Sequence, residues 1–207
     1  MVPAFYRDCL ACRLTQTQLL TLEIVVWLLQ VHKNVKIERL AAHFPLPIKY
    51  ESLRRHLQRF LTLSCLSIPI IWFPLIKTII QQNYPQNKPL YLALDRTQWQ
   101  DKNLFMVAVI YQKRALPIYW QFLTKKGASN LREQKAIFKA VLKLFKNNQL
   151  IVLGDREFHS NELANWLDQQ QVGFVLRQKK GKNMQAAGQK SLPLSNLEVK
   201  PGSSVFF

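Results

Sequence analysis

Two aspartates each close a short apolar run. Asp95 ends LYLALD (residues 90–95) and Asp155 ends LIVLGD (residues 150–155). A carboxylate at the end of a buried strand leaves the core at the sheet edge, where open sheets form their sites. Alone, such an aspartate more often caps a turn or helix. As a pair, two carboxylates at one point repel, and a hard divalent cation with oxygen ligands relieves that repulsion. Mg2+ or Mn2+ suits such a site, and two such ions can activate a water and stabilise the leaving oxygen of a phosphodiester. His159 reads as a surface or capping residue, because two-metal phosphoryl transfer needs no histidine base.

The elements that must bring the aspartates together follow from periodicity. Residues 90–94, 104–111, 116–123, 150–154 and 172–177 read as strands, the second and third as a hairpin. Residues 131–145 read as an amphipathic helix with Ile137, Phe138, Val141 and Leu144 inward and Lys135, Lys139, Lys143 and Lys146 opposite. Residues 161–170 read as a helix with Leu163, Trp166 and Leu167 inside. Three strands in a meander followed by helix-linked strands predict an α/β fold with one mixed sheet and flanking helices. In that order the first and fourth strands can be neighbours, which would join Asp95 to Asp155 across 60 positions of chain. Trp99, Trp120 and Trp166 are expected in the core.

The first part of the chain reads as all-α. Residues 17–31 are apolar on every side, 35–44 form a second helix ended by Pro45-Leu46-Pro47, and 50–61 a third. In the third, Leu53, Leu57 and Phe60 share one face, and Arg54, Arg55 and Arg59 fall away from it. Two short helices with a break and a basic second member resemble a helix-turn-helix whose arginine face enters a groove or grips phosphates. A small helical bundle with a charged outer face is the alternative. Residues 61–76 carry no charge, but with Pro69 and Pro74 they are expected as a buried helix or linker rather than a membrane span. Cys9, Cys12 and Cys65 make neither a disulfide framework nor a four-ligand zinc site. With no visible signal peptide, a reducing cytoplasm is expected.

Charge points to the partner. The chain has 29 basic and 12 acidic residues, a formal net charge of +17. The excess is spread: +5 over residues 1–60, +4 over 61–120 and +8 over 121–207. A long basic surface attracts a polyanion, nucleic acid before all others.

The segments LALDRTQW (92–99), VLGDREF (152–158) and VGFVLRQKKG (172–181) resemble the two aspartate motifs, and the strand after the second, of DDE insertion-sequence transposases with a ribonuclease-H-like core. The relatives meant are those marked by a Tyr-Arg-Glu-Lys signature. The resemblance spans residues 17–182. It implies that Asp95 ligates both metal ions and Asp155 one of them. The expected organisation is a helical DNA-binding region over 1–82, an incomplete catalytic core over 83–182, and the start of a β-rich insertion over 183–207. Arg96 and Arg156 either contact DNA phosphates or hold a neighbouring carboxylate. Arg54, Arg55, Arg59, Lys179, Lys180 and Lys182 are expected to contact DNA.

One part of the pattern is missing. No tyrosine follows Tyr119, so Tyr-x-x-Arg-x-x-x-Glu is absent, and Glu157, Glu162, Asp168 and Glu198 do not sit as the third acid should. Truncation is the expected reason. The resemblance then implies a cut-and-paste transposase acting on double-stranded element ends and target DNA, as a homodimer on DNA and without a membrane. The competing expectations are a catalytically inactive DNA-binding protein that inhibits the full-length enzyme, and a host ribonuclease-H-like nuclease.

Overall fold

The structure is a computed structural model that describes residues 3–85, 87–179, 181–184 and 191–197. The chain divides into two compact units, Met1–Tyr84 and Pro85–Phe207.

The first unit is helical. Its helices are α1 (Ala4–Ala11), α2 (Gln16–His32), α3 (Ile37–Ala42), α4 (Tyr50–Leu61) and α5 (Phe73–Asn83). Thr15 starts α2 through a reciprocal capping box with Gln18, and Lys33 ends it in a left-handed conformation. Val25, Leu28, Leu40, Ala41, Phe44, Leu53, Leu57 and Phe60 form one core among α2, α3 and α4. Leu10, Leu14, Leu19 and Leu75 form a second.

The uncharged stretch after α4 becomes a π-helical turn, Ile68–Trp72, leading into α5. Pro69 lies in the first turn of this stretch, where a missing N–H costs little, and Pro74 stands where the π-helical turn passes into α5. Among the described residues no helix is long and apolar enough to cross a membrane.

The second unit is an α/β sheet structure. Strands β1 (Leu90–Trp99), β2 (Lys102–Tyr111), β3 (Arg114–Leu123), β4 (Leu150–Gly154) and β5 (Gly173–Leu176) form a mixed sheet in the order β3-β2-β1-β4-β5. β2 runs antiparallel to β1 and β3, whereas β1, β4 and β5 are parallel. Helix α6 (Leu131–Leu144) links β3 to β4, and α7 (Asn161–Gln169) links β4 to β5. β6 (Asn183–Met184) and β7 (Leu192–Pro193) make a small separate ladder.

One sheet face is the core. Leu90, Leu92, Phe105, Val107, Val109 and Val152 are fully buried on it, as are Ile137, Phe138 and Val141 of α6 and Leu163 and Leu167 of α7. Trp166 is half-buried, packed against Phe138, with the Lys135 ammonium over its ring at 5.8 Å.

Two sequence expectations change here. The first strand does not stop at Asp95; it continues to Trp99, because β2 stays paired with it through Trp99↔Lys102. Trp99 is not core but 70% exposed, since it stands at the tip of that hairpin arm, beyond the helices.

Candidate functional site

The register between β1 and β4 decides the site. Leu90 faces Leu150, and the ladder holds a constant offset of 60 through Ala93↔Leu153. Asp95 and Asp155 each follow the last paired residues, Ala93 and Leu153, by two positions. Neighbouring strands lie about 4.8 Å apart, and facing residues of a parallel pair share a sheet face. By strand alternation Asp95 falls on the face of Ala93, opposite the fully buried one, and Asp155 follows directly on the end of β4 as the cap of the next turn. The expected adjacency of the first and fourth strands is therefore found.

Beyond Ala93 and Leu153 the two strands part. β1 stays with β2, Asp95 facing Met106, while β4 ends at Gly154. The aspartates stand at this fork, both exposed. Asp95 Oδ2 accepts a hydrogen bond from Thr97 Oγ1 at 3.3 Å. Asp155 Oδ1 accepts from the Glu157 backbone N–H at 2.9 Å, capping the single 3-10 turn Arg156–Phe158.

Beneath the aspartates lies a polar clamp. Arg96 alternates to the buried face, where its Nε donates to Glu157 Oε2 at 2.6 Å and its Nη1 donates to Asn103 Oδ1 at 3.1 Å. The other Glu157 oxygen accepts from both the backbone N–H and the hydroxyl of Ser129, each at 3.0 Å. Asn103 donates to the carbonyls of Lys125 and Gly127, and Gln134 donates to the Ser129 hydroxyl at 3.1 Å. Asn103, Ser129 and Gln134 are buried. The stacked rings of Phe105 and Phe158, 5.5 Å apart, join the same two segments. The residues just after each aspartate are thus tied to each other and to the loop before α6. Buried charges need such saturation of their hydrogen-bonding capacity.

Glycine at 154 is dictated by space. A Cβ there would sit 2.8 Å from Leu176 Cδ2 and 2.9 Å from Phe158 Cβ. The chain must therefore pass close to β5 and the 3-10 turn immediately before presenting Asp155.

The remaining sequence-predicted residues are placed as follows. Arg156 is exposed beside Asp155, and Arg96 is engaged with Glu157 rather than with either aspartate. Lys182 Nζ donates to the His159 carbonyl at 2.7 Å and to Asn161 Oδ1 at 2.8 Å, bracing the segment after Asp155. Lys179 is exposed, and Lys180 lies outside the described residues. In the first unit Arg55 and Arg59 are exposed on α4, while Arg54 is half-buried and paired with Glu51 at 3.3 Å. Glu162, at the start of α7, is held below the usual carboxylate range by its own backbone N–H, then by the Ser160 hydroxyl, with the Lys182 charge adding to both.

Sequence reasoning set Glu157 aside as a third acid without seeing its partner, and it did not single out Asn103, Ser129 or Gln134. A signal existed for Gln134, which falls with Ile137, Phe138 and Val141 on the apolar face of α6. A polar residue in that stripe needs a buried partner.

Two exposed carboxylates beside the end of the β1–β4 ladder offer the oxygen donors that a hard divalent cation takes, with room left for water or phosphate oxygens. Among the described residues no group of three or more His, Cys, Asp or Glu side chains comes together, and Glu157 is paired with Arg96. No protein-family model matches the chain, and no curated protein matches it either.

Proposed function

We propose that the second unit carries a DDE-type phosphoryl-transfer site acting on DNA, with Asp95 and Asp155 as its two metal-holding carboxylates. The observation that carries the reading is the parallel β1–β4 register, whose offset equals the spacing of the two aspartates. A meander feeding two helix-linked parallel strands also supports a ribonuclease-H-like reading of the sheet. The motif resemblance of residues 92–99 and 152–158 supplies the family, a cut-and-paste transposase of the Tyr-Arg-Glu-Lys group.

In this reading Mg2+ or Mn2+, when bound, supplies Lewis-acid polarisation of a phosphodiester. The chain's own residues do the rest. Asp95 and Asp155 present oxygens from adjacent strands. Thr97 and the Glu157 N–H each occupy one carboxylate oxygen and so orient the other. The Arg96–Glu157 clamp fixes the fork. Exposed Arg156 and Lys179 attract the phosphate backbone, and Arg55 and Arg59 of α4 do so from the first unit. A cytoplasmic location with double-stranded DNA as partner follows from the same reading.

A second reading has one observation in its favour. With Glu157 committed to Arg96, no third carboxylate joins the pair among the described residues. A protein that occupies DNA without cutting it, and so inhibits an active transposase, fits that state.

One experiment separates the readings: nicking of supercoiled DNA by the chain in Mg2+ and in Mn2+, beside a DNA-binding assay. The enzyme reading expects metal-dependent nicks that disappear in Asp95→Ala and Asp155→Ala while DNA binding persists. Nicking that survives both substitutions removes the assignment. Binding without nicks under either metal selects the inhibitor.

A further inference from the structure

The first unit contains a cleft that the Asp95–Asp155 reading does not use. It encloses about 260 Å³ and is lined by His32, Asn34, Arg39 and His43, from the ends of α2 and α3 and the turn between them. The lining holds one guanidinium, two imidazoles and one carboxamide, and no carboxylate. Arg39 has no ion-pair partner among the described residues.

Local hydrogen bonds fix which atoms face a ligand as donors. Asn34 Oδ1 accepts from the Lys36 backbone N–H at 2.9 Å, which fixes the amide's orientation and leaves its NH2 group to donate. His43 Nδ1 lies 2.9 Å from the Arg39 carbonyl, which can only accept, so Nδ1 carries the hydrogen. A second proton, on Nε2, would turn that nitrogen into a donor toward an anion. The His32 and His43 rings stand 4.1 Å apart, tilted by 38°, and an anion between the edges of two such rings offsets their mutual repulsion when charged.

A cation is disfavoured, because the guanidinium shares the wall and no carboxylate lines it among the described residues. Donor groups on four side chains lining one cleft suit a tetrahedral group with several acceptor oxygens, and the Arg fork matches phosphate geometry.

We propose that this cleft is an oxyanion site that takes a phosphate group, with Arg39 as its main charge and Asn34, His32 and His43 as its further donors. The assignment rests on the first unit alone and stands or falls independently of the aspartate pair.

The test is an NMR titration of the whole chain with inorganic phosphate against chloride at constant ionic strength. A pH of about 6 is chosen because ordinary imidazoles are mostly protonated there. The chain's four histidines supply the readout and its control. The ring signals of His32 and His43 are expected to shift and saturate while those of His56 and His159 stay. Arg39→Gln is expected to weaken binding at least tenfold, and Asn34→Leu severalfold. These side chains are not buried, so a native amide spectrum is expected for both variants; if one misfolds, the other decides.

Movement of all four histidines in proportion to phosphate, without saturation, overturns the site. So does affinity unchanged in the correctly folded variants. A short oligonucleotide with and without a 5′ phosphate then identifies the source. Displacement of inorganic phosphate by the phosphorylated form alone assigns a terminal phosphate. Displacement by both assigns a backbone diester, and displacement by neither assigns the free ion.

Discussion

Arg96 and Glu157 lie 61 positions apart in the chain and 2.6 Å apart in the fold. Their side chains are 19% and 14% exposed, so the pair is largely shielded from water and is held by three further hydrogen bonds with Asn103 and Ser129. Removing one member of such a pair strands the other charge, which typically costs about 3 kcal/mol or more. Glu157→Ala should therefore lower unfolding free energy by about 3 kcal/mol in urea titrations. Glu157→Gln keeps an acceptor for Ser129 and should cost less. Gly154 is constrained by contact rather than by charge. Gly154→Ala drives a methyl into Phe158 Cβ and Leu176 Cδ2. Overpacking of this kind costs about 2 kcal/mol, which differential scanning calorimetry would read. The strain falls directly before Asp155, so nicking activity should fall further than stability does.

At the scale of elements, the hairpins show a sequence working against a local preference. Gln112 and Lys113 join β2 to β3 with φ of 46° and 63°, the paired left-handed geometry of a type I′ turn, without the usual glycine. The left-handed region costs a residue with a Cβ about 1 kcal/mol, and the pairing of the two strands overrides that cost. Lys113→Gly should therefore stabilise the chain by about 1 kcal/mol, measured as a higher urea midpoint with unchanged slope. The same override explains why β1 runs longer than its apolar pattern. Arg96, Thr97 and Gln98 do not read as buried strand, yet each pairs with a residue of β2. Strand pairing has no part in α5, whose Pro74 stands just after the π-helical turn that holds Pro69.

Across the whole molecule the dominant number is the net charge of +17. Lys139, Lys143 and Lys146 are exposed along and just beyond α6. If DNA is the partner, the logarithm of the binding constant should fall linearly with the logarithm of salt, each phosphate contact adding about 0.9 to the slope. Replacing all three lysines by glutamine should flatten that slope by up to about 3, which fluorescence anisotropy over a salt series would show. A slope near zero in the unsubstituted chain would remove nucleic acid as the partner.

The sequence alone determined the order of strands and helices in the second unit, the α4 arginine face, and the matched settings of Asp95 and Asp155. These follow from short-range periodicity, because a core-facing strand or helix must repeat its apolar residues at a fixed spacing. Tertiary structure alone decided that β1 and β4 pair in a register equal to the aspartate spacing, and that Glu157 belongs to Arg96. It also decided that Gln134 and Asn103 are buried for the sake of a loop, and that His32, Arg39 and His43 share one cleft. None of these depends on local spacing. Each depends on which distant backbone atoms meet, and that is fixed by the packing of whole elements rather than by any residue's neighbours in the chain.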